Sequence, residues 1–172
     1  MRRSATPGDK LPAVLLAAIA VASALVLRRS GSDLSFLITP AAKVVGLFTG
    51  APHLPIDDGM AFHSLGIVID RSCSGASFLT VLLSVFALLL WRMRRGGPSD
   101  WWWAIALLLL AYPVTLLVNS ARIVGILQLQ RMLGPLSPTV HELLGGFLLL
   151  GFLFLISLII THLTRPTDAR TA

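Results

Sequence analysis

The sequence predicts an all-α polytopic membrane protein of about four transmembrane helices. One or two interfacial helices and a small extracytoplasmic cap with short strands complete the expected fold. Three observations predict it. The 172 residues are 55% hydrophobic and 13% charged, with mean hydropathy +0.82, against roughly 25% charged in soluble domains. Several apolar runs approach the roughly 20 residues that cross a bilayer. Arginine and tryptophan gather at the ends of those runs, as they do at membrane interfaces. The excess of 14 Lys+Arg over 8 Asp+Glu therefore reads as a topology signal. Nucleic-acid binding would need a basic face with groove-reading or stacking elements, and none is visible.

The first run spans residues 11–27 behind Arg2, Arg3 and Lys10. A small-residue pattern at Ala22-Ser23-Ala24 resembles a signal-peptide cleavage site, but the apolar run continues through Leu27, which favours an uncleaved span. Residues 28–74 form an extracytoplasmic segment. Within it Leu34, Leu37, Ile38, Ala41, Val44, Val45 and Phe48 make a helical stripe, with Asp33 as N-cap and Pro40 as a kink or a late start. Lys43 would fall mid-membrane in a span, so an interfacial helix is expected in preference to a fifth crossing. Pro52, Pro55 and Asp57-Asp58-Gly59 are turn signals. The β-branched run Leu65 to Ile69 implies one or two short extended pieces.

A second span covers residues 75–91. Arg92, Arg94 and Arg95 follow, with Trp91 and Trp101 to Trp103 on either side, which makes this loop cytoplasmic. A third span covers 101–118. The apolar chain runs on to Leu133, about 50 Å if wholly helical, so a bend near Asn119 and an outer re-entrant or interfacial segment over 119–140 are expected. Ser137-Pro138, or a capping box from Thr139 to Glu142, opens a last span over 141–163.

This topology places Cys73, Arg122 and His141 at the extracytoplasmic ends of three different spans. Cys73 is the only cysteine, so an internal disulfide, a structural zinc site and a paired-thiol redox motif are all excluded. A thiol attacks as thiolate, a form favoured near cations and at helix N-termini. His141 in a helix first turn suits the neutral imidazole, able to take a proton and return it to a leaving amine. Arg122 supplies fixed positive charge for the thiolate or for an oxyanion. Taken singly, each has a bland reading: a packed thiol, a snorkelling arginine, a satisfied helix-end histidine. Their coincidence at one membrane face is what hydrophobic packing does not ask for. His53 and His63 lack partners at ligand spacing, and neither a metal nor another cofactor is expected.

Cys73-Ser74-Gly75, then Asn119-x-x-Arg122 followed by Ile123 and Val124, then His141-x-x-x-Gly145, resemble the exosortase/archaeosortase family of membrane cysteine transpeptidases. The resemblance covers roughly residues 50–163. Many relatives have about eight spans, and this chain resembles the short exosortase K type, a minimal core. The resemblance implies cleavage of C-terminal sorting signals of secreted proteins, PEP-CTERM-like, each with a short motif, one transmembrane helix and a basic tail. It implies Cys73 as nucleophile through a thioester, with Arg122 and His141 as catalytic partners and Ser74, Gly75 and Asn119 in support. The setting implied is the plasma (inner) membrane, with the site facing outward.

Two other enzyme classes fit less well. Membrane phosphatases would need Ser-Gly-His and a short Arg-to-His spacing, whereas Arg122 and His141 stand 19 residues apart. A rhomboid-like protease would need Gly-x-Ser-Gly inside a span. The non-enzymatic alternative is a small membrane assembly or scaffold protein in which Cys73 only packs.

Overall fold

In a computed structural model of the chain, the residues described are 10–28, 33–93, 98–134 and 137–163. Arg2, Arg3, Arg94 and Arg95, on which the expected topology leans, lie outside them. Five helices and a small sheet make up the described chain, which is a largely helical membrane fold as expected. The helices are α1 (Leu11–Arg28), α2 (Ser35–Thr49), α3 (Ala76–Met93), α4 (Pro98–Leu133) and α5 (Pro138–Leu163). Three stretches are long and apolar enough to cross a membrane: Arg71–Arg92, Asp100–Leu133 and Leu143–His162. The apolar parts of α1 and α2, Leu11–Val26 and Ser35–Thr49, are shorter.

Helices α1, α3, α4 and α5 share one apolar core. Ala13, Leu16 and Ala20 of α1 join Phe78, Leu82 and Phe86 of α3, with Leu107 and Ala111 of α4 and Ile160 of α5. Lipid tails are as apolar as these side chains, so packing rather than water exclusion holds such a bundle. Small residues such as Ala13, Ala20 and Ala111 let the helices approach. Lys10 Nζ sits 4.5 Å from the ring centroid of Trp91, which pins the start of α1 to the end of α3 and makes the two antiparallel. The outer face of α5 is apolar and open at Phe147, Leu150, Phe154 and Leu158, a surface suited to lipid.

The second core belongs to the cap. Strands β1 (Leu54–Ile56), β2 (Gly59–Phe62) and β3 (Ile67–Ile69) form an antiparallel sheet in the order β1-β2-β3. Asp57 and Asp58 close the first hairpin between paired Ile56 and Gly59 as expected, whereas Pro55, read as a turn signal, lies within β1 opposite Met60. Gly66, at φ 63°, helps close the second. The sheet exceeds the one or two extended pieces expected by a strand. Phe62 and Ile69 pack with Leu34, Ile38, Ala42 and Val45 of α2 and with Ile123 and Leu127 of α4. Burial from water drives this core, at about 1.5–3 kcal/mol per large side chain.

The stripe of α2 faces that core through Leu34, Leu37, Ile38, Ala41 and Val45, all buried, while Lys43 is exposed. Val44 is half-buried and Phe48 is 71% exposed, so the stripe ends one turn early. The N-cap position falls on Leu34, not on Asp33 as expected, and carries no side-chain cap bond. Asp33, one residue earlier, accepts from the Ser35 N–H through Oδ1 at 2.8 Å, and this bond holds its carboxyl below the ordinary range. The helix starts at Ser35 and passes through Pro40.

Helix α4 is continuous through Asn119, where a bend was expected to end the span. It runs unbroken for 36 residues with Pro113 inside it, about 54 Å at 1.5 Å per residue. A bilayer core of about 30 Å does not have to hold the whole apolar run. The cap holds the second half instead. Ile123 and Leu127 belong to the cap core, and Ser120 Oγ reaches the Ala41 carbonyl of α2 at 3.5 Å. The first half docks on α2 as well, where Tyr112 Oη donates to the Phe36 carbonyl at 2.6 Å and the two rings stack. One helix thus belongs to both cores.

Candidate active site

The site lies at the seam between the cores. β3 ends at Ile69, and Asp70 then caps a single 3-10 turn over Arg71–Cys73. Asp70 Oδ1 accepts from the backbone N–H of Ser72 at 2.9 Å and of Cys73 at 3.3 Å, and from Ser72 Oγ at 2.6 Å. One carboxylate oxygen therefore fixes the loop that carries the thiol. Ser72 Oγ also stands 3.7 Å from Cys73 Sγ. Its single proton goes to the closer carboxylate, leaving the oxygen's lone pairs to face the thiol. Cys73 is partly exposed.

Ser74 and Gly75 turn the chain from this loop into α3. Ser74 is buried, and its Oγ donates to the Arg71 carbonyl at 2.8 Å. Gly75 has φ 79°, a region that suits glycine. A Cβ there would also stand 3.0 Å from Cγ of Asn119. The empty space lets Asn119 reach past, and its Nδ2 donates to the Cys73 carbonyl at 2.6 Å. Asn119 is fully buried. This bond ties α4 to the nucleophile loop across 46 positions of sequence.

Arg122 stands one turn further along α4. It shares a cavity of about 170 Å³ with Cys73, walled by β3 and by Ile123, Ile126, Leu127 and Gln130. Its Nε is buried without a hydrogen-bond partner among the described residues. On its other side the guanidinium rests against α5 at Gly145, where a Cβ would lie 2.5 Å from Nε. Asn119 Oδ1 and Thr115 Oγ1 are likewise buried and unpartnered among the described residues. Buried polar groups left so cost about 1–3 kcal/mol each, an arrangement typical of sites kept for chemistry rather than for stability.

His141 occupies the first turn of α5, which Ser137 caps by accepting from the Val140 N–H at 3.4 Å. The Ser137-Pro138 start is therefore the one the chain uses. The imidazole itself lies outside the described side chains. His141 precedes Gly145 by four residues, so by helical spacing the two share a face.

A family model for transmembrane exosortases matches residues 10–159. The chain belongs to the exosortase family. The match covers α1 to α5 with the cap, so both cores of this exosortase fall within the family region. No curated protein and no solved structure shows a significant match to it.

The exosortase brings Cys73, Asn119 and Arg122 together, with Ser74 and Gly75 shaping the approach. Two contributors escaped the reading of the sequence. Asp70 acts through its cap, and the Asp-x-Ser pattern before a helix start was the available signal. Gly145 acts by having no side chain. Its place one turn past His141 was visible, but its contact with Arg122 was not. No group of three or more His, Cys, Asp or Glu able to hold a metal occurs among the described residues.

Proposed function

We propose that this exosortase is a membrane cysteine peptidase of the transpeptidase type. It cleaves C-terminal sorting signals of secreted proteins, PEP-CTERM-like in make-up, on the extracytoplasmic side of the plasma membrane. The observation that carries the proposal is the shared cavity: the only thiol of the chain and a guanidinium with a buried, unpartnered Nε face one space. The spans are α1, α3, the first part of α4, and α5, with both termini cytoplasmic. Family membership supports the membrane setting.

In the first half-reaction His141 accepts the Cys73 proton and the sulfur attacks the scissile carbonyl. Arg122 stabilises the resulting oxyanion. As the tetrahedral species collapses, the C–N bond breaks and His141 returns the proton to the departing amine, leaving a Cys73 thioester. Water, an amine or a lipid nucleophile then attacks the thioester and gives its proton to His141, which passes it to the sulfur as the C–S bond breaks. Asn119, Ser74 and Gly75 hold the loop in register.

The test uses a co-expressed secreted chain that ends in a short motif, an apolar helix and an arginine cluster. Cys73→Ala abolishes its processing with membrane accumulation unchanged, and Cys73→Ser retains very little, because an alkoxide is much harder to form than a thiolate. Undiminished processing by Cys73→Ala would leave the scaffold reading in its place.

A further inference from the structure

Strand β3 is the outer strand of the sheet, and no described strand pairs with its far side. The cavity that holds Cys73 and Arg122 touches Ile67, Val68 and Ile69 in succession. Successive side chains of a strand point to opposite faces. Their exposures show it here, Ile69 at 1% and Val68 at 48%. A space that meets all three residues therefore runs along the strand's edge rather than over one face. Such an edge presents unpaired backbone N–H and C=O groups. Helix α4 packs under the buried face of the sheet through Ile123 and Leu127, and its Ile123, Ile126, Leu127 and Gln130 recur at helical spacing as one stripe along the cavity. The edge also has a defined end, because Asp70 takes up the N–H groups of Ser72 and Cys73.

We propose that the free edge of β3 is the substrate's docking strand. An extended peptide segment adds to the sheet there as a further strand and lays its scissile bond over Cys73. The inference rests on Cys73 being the nucleophile. Chain continuity commits the edge to this occupant: the strand that offers the backbone groups leads, through one 3-10 turn, into the thiol. Backbone pairing supplies affinity without regard to sequence, while alternate side chains of the guest face the apolar stripe of α4. Selectivity is therefore expected at every second position of the guest.

The test labels Cys73 in the full chain, in lipid nanodiscs, with an acetylated Val-Thr-Val-Thr-Val peptide ending in a vinyl sulfone. The sulfur adds to the β-carbon and a proton from solvent goes to the α-carbon, so no cleavage activity is required. The peptide is expected to label about tenfold faster than methyl vinyl sulfone, a gain equal to one or two net hydrogen bonds. Single N-methyl groups, placed along the peptide in turn, slow labelling about fivefold at alternate amides and leave the intervening ones unchanged. No gain over the small reagent, or slowing without period two, overturns the proposal. So does labelling that falls as protein concentration rises, because a second copy would then hold the edge. The readout is independent of processing. Lost processing in Cys73→Ala with a flat N-methyl scan removes the docking strand alone; a period-two scan with processing intact in Cys73→Ala keeps the pairing edge but removes the peptidase reading, and with it the guest's role as substrate.

Discussion

Arg122 on α4 rests its guanidinium against the backbone of α5 at Gly145, where even a methyl group would stand 2.5 Å from Nε and 2.7 Å from Nη2. The contact settles how a charged side chain on one helix is held beside the helix that carries His141. It also separates packing from chemistry, because glycine is the weaker choice for the helix itself.

Gly145→Ala is expected to lower processing by about 10- to 100-fold, since a misplacement of about 1 Å can cost that much. Alanine is favoured over glycine in a helix interior by about 1 kcal/mol, so membrane accumulation should hold or rise. The flexible guanidinium, not the helix, gives way. Processing rates beside immunoblot levels check this, and full activity would show that the contact does not position Arg122.

Asn119→Ala removes the one side-chain bond to the Cys73 carbonyl. The expected cost is about 1–3 kcal/mol of stability, together with a fall in processing of about 100-fold as the loop loses its register. Thermal unfolding in detergent and the processing rate are the two measurements. A stability loss without a rate loss would confine Asn119 to the fold.

Arg122 and His141 should fail differently. Arg122→Ala is expected to reduce the rate about 100- to 1000-fold at every pH, the usual effect of losing an oxyanion donor. Arg122→Lys keeps the charge without the planar fork and should fall less far. His141→Ala should slow acylation at neutral pH and recover in part as pH rises, because thiols then ionise unaided. Processing rates across pH check the arginine variants, and the rates of processing and of Cys73 alkylation across pH check His141→Ala. Identical profiles in all of them would contradict the proposed roles.

Topology has its own test. The contact between Lys10 and Trp91 requires reporters fused before Lys10 and after Arg92 to report one side of the membrane. An epitope in the turn at His63 to Gly66 should report the other. Agreement of all three would mean that α1 does not cross.

Much of this architecture is legible from local chemistry. Uninterrupted apolar runs bounded by charge become α1, α3 and α5, and the stripe from Leu34 to Val45 becomes the buried face of α2. Turn residues at Asp57-Asp58 mark the first hairpin, whereas Leu65 and Gly66, read as the start of an extended run, belong to the turn of the second. The length of α4 was not legible, because Ile123 and Leu127 are as apolar as any lipid-facing pair and only their tertiary partners show that a cap covers them. At the site, Cys73 and Arg122 announce themselves by scarcity and charge. Gly145 and Asp70 do not, because one acts by leaving room and the other by satisfying backbone donors.

The unbroken α4 has a mechanical consequence. Asn119 and Arg122 ride on a helix that starts in the membrane bundle and ends in the cap, whereas Cys73 stands just before the start of a different helix, α3. A change in the tilt of α4 swings the first pair sideways past the thiol, and the side-chain bond from Asn119 to Cys73 is the tether it strains. Transmembrane helices adjust their tilt to the thickness of the surrounding lipid. Acyl-chain length is therefore expected to act on the alignment of Asn119 and Arg122 with Cys73.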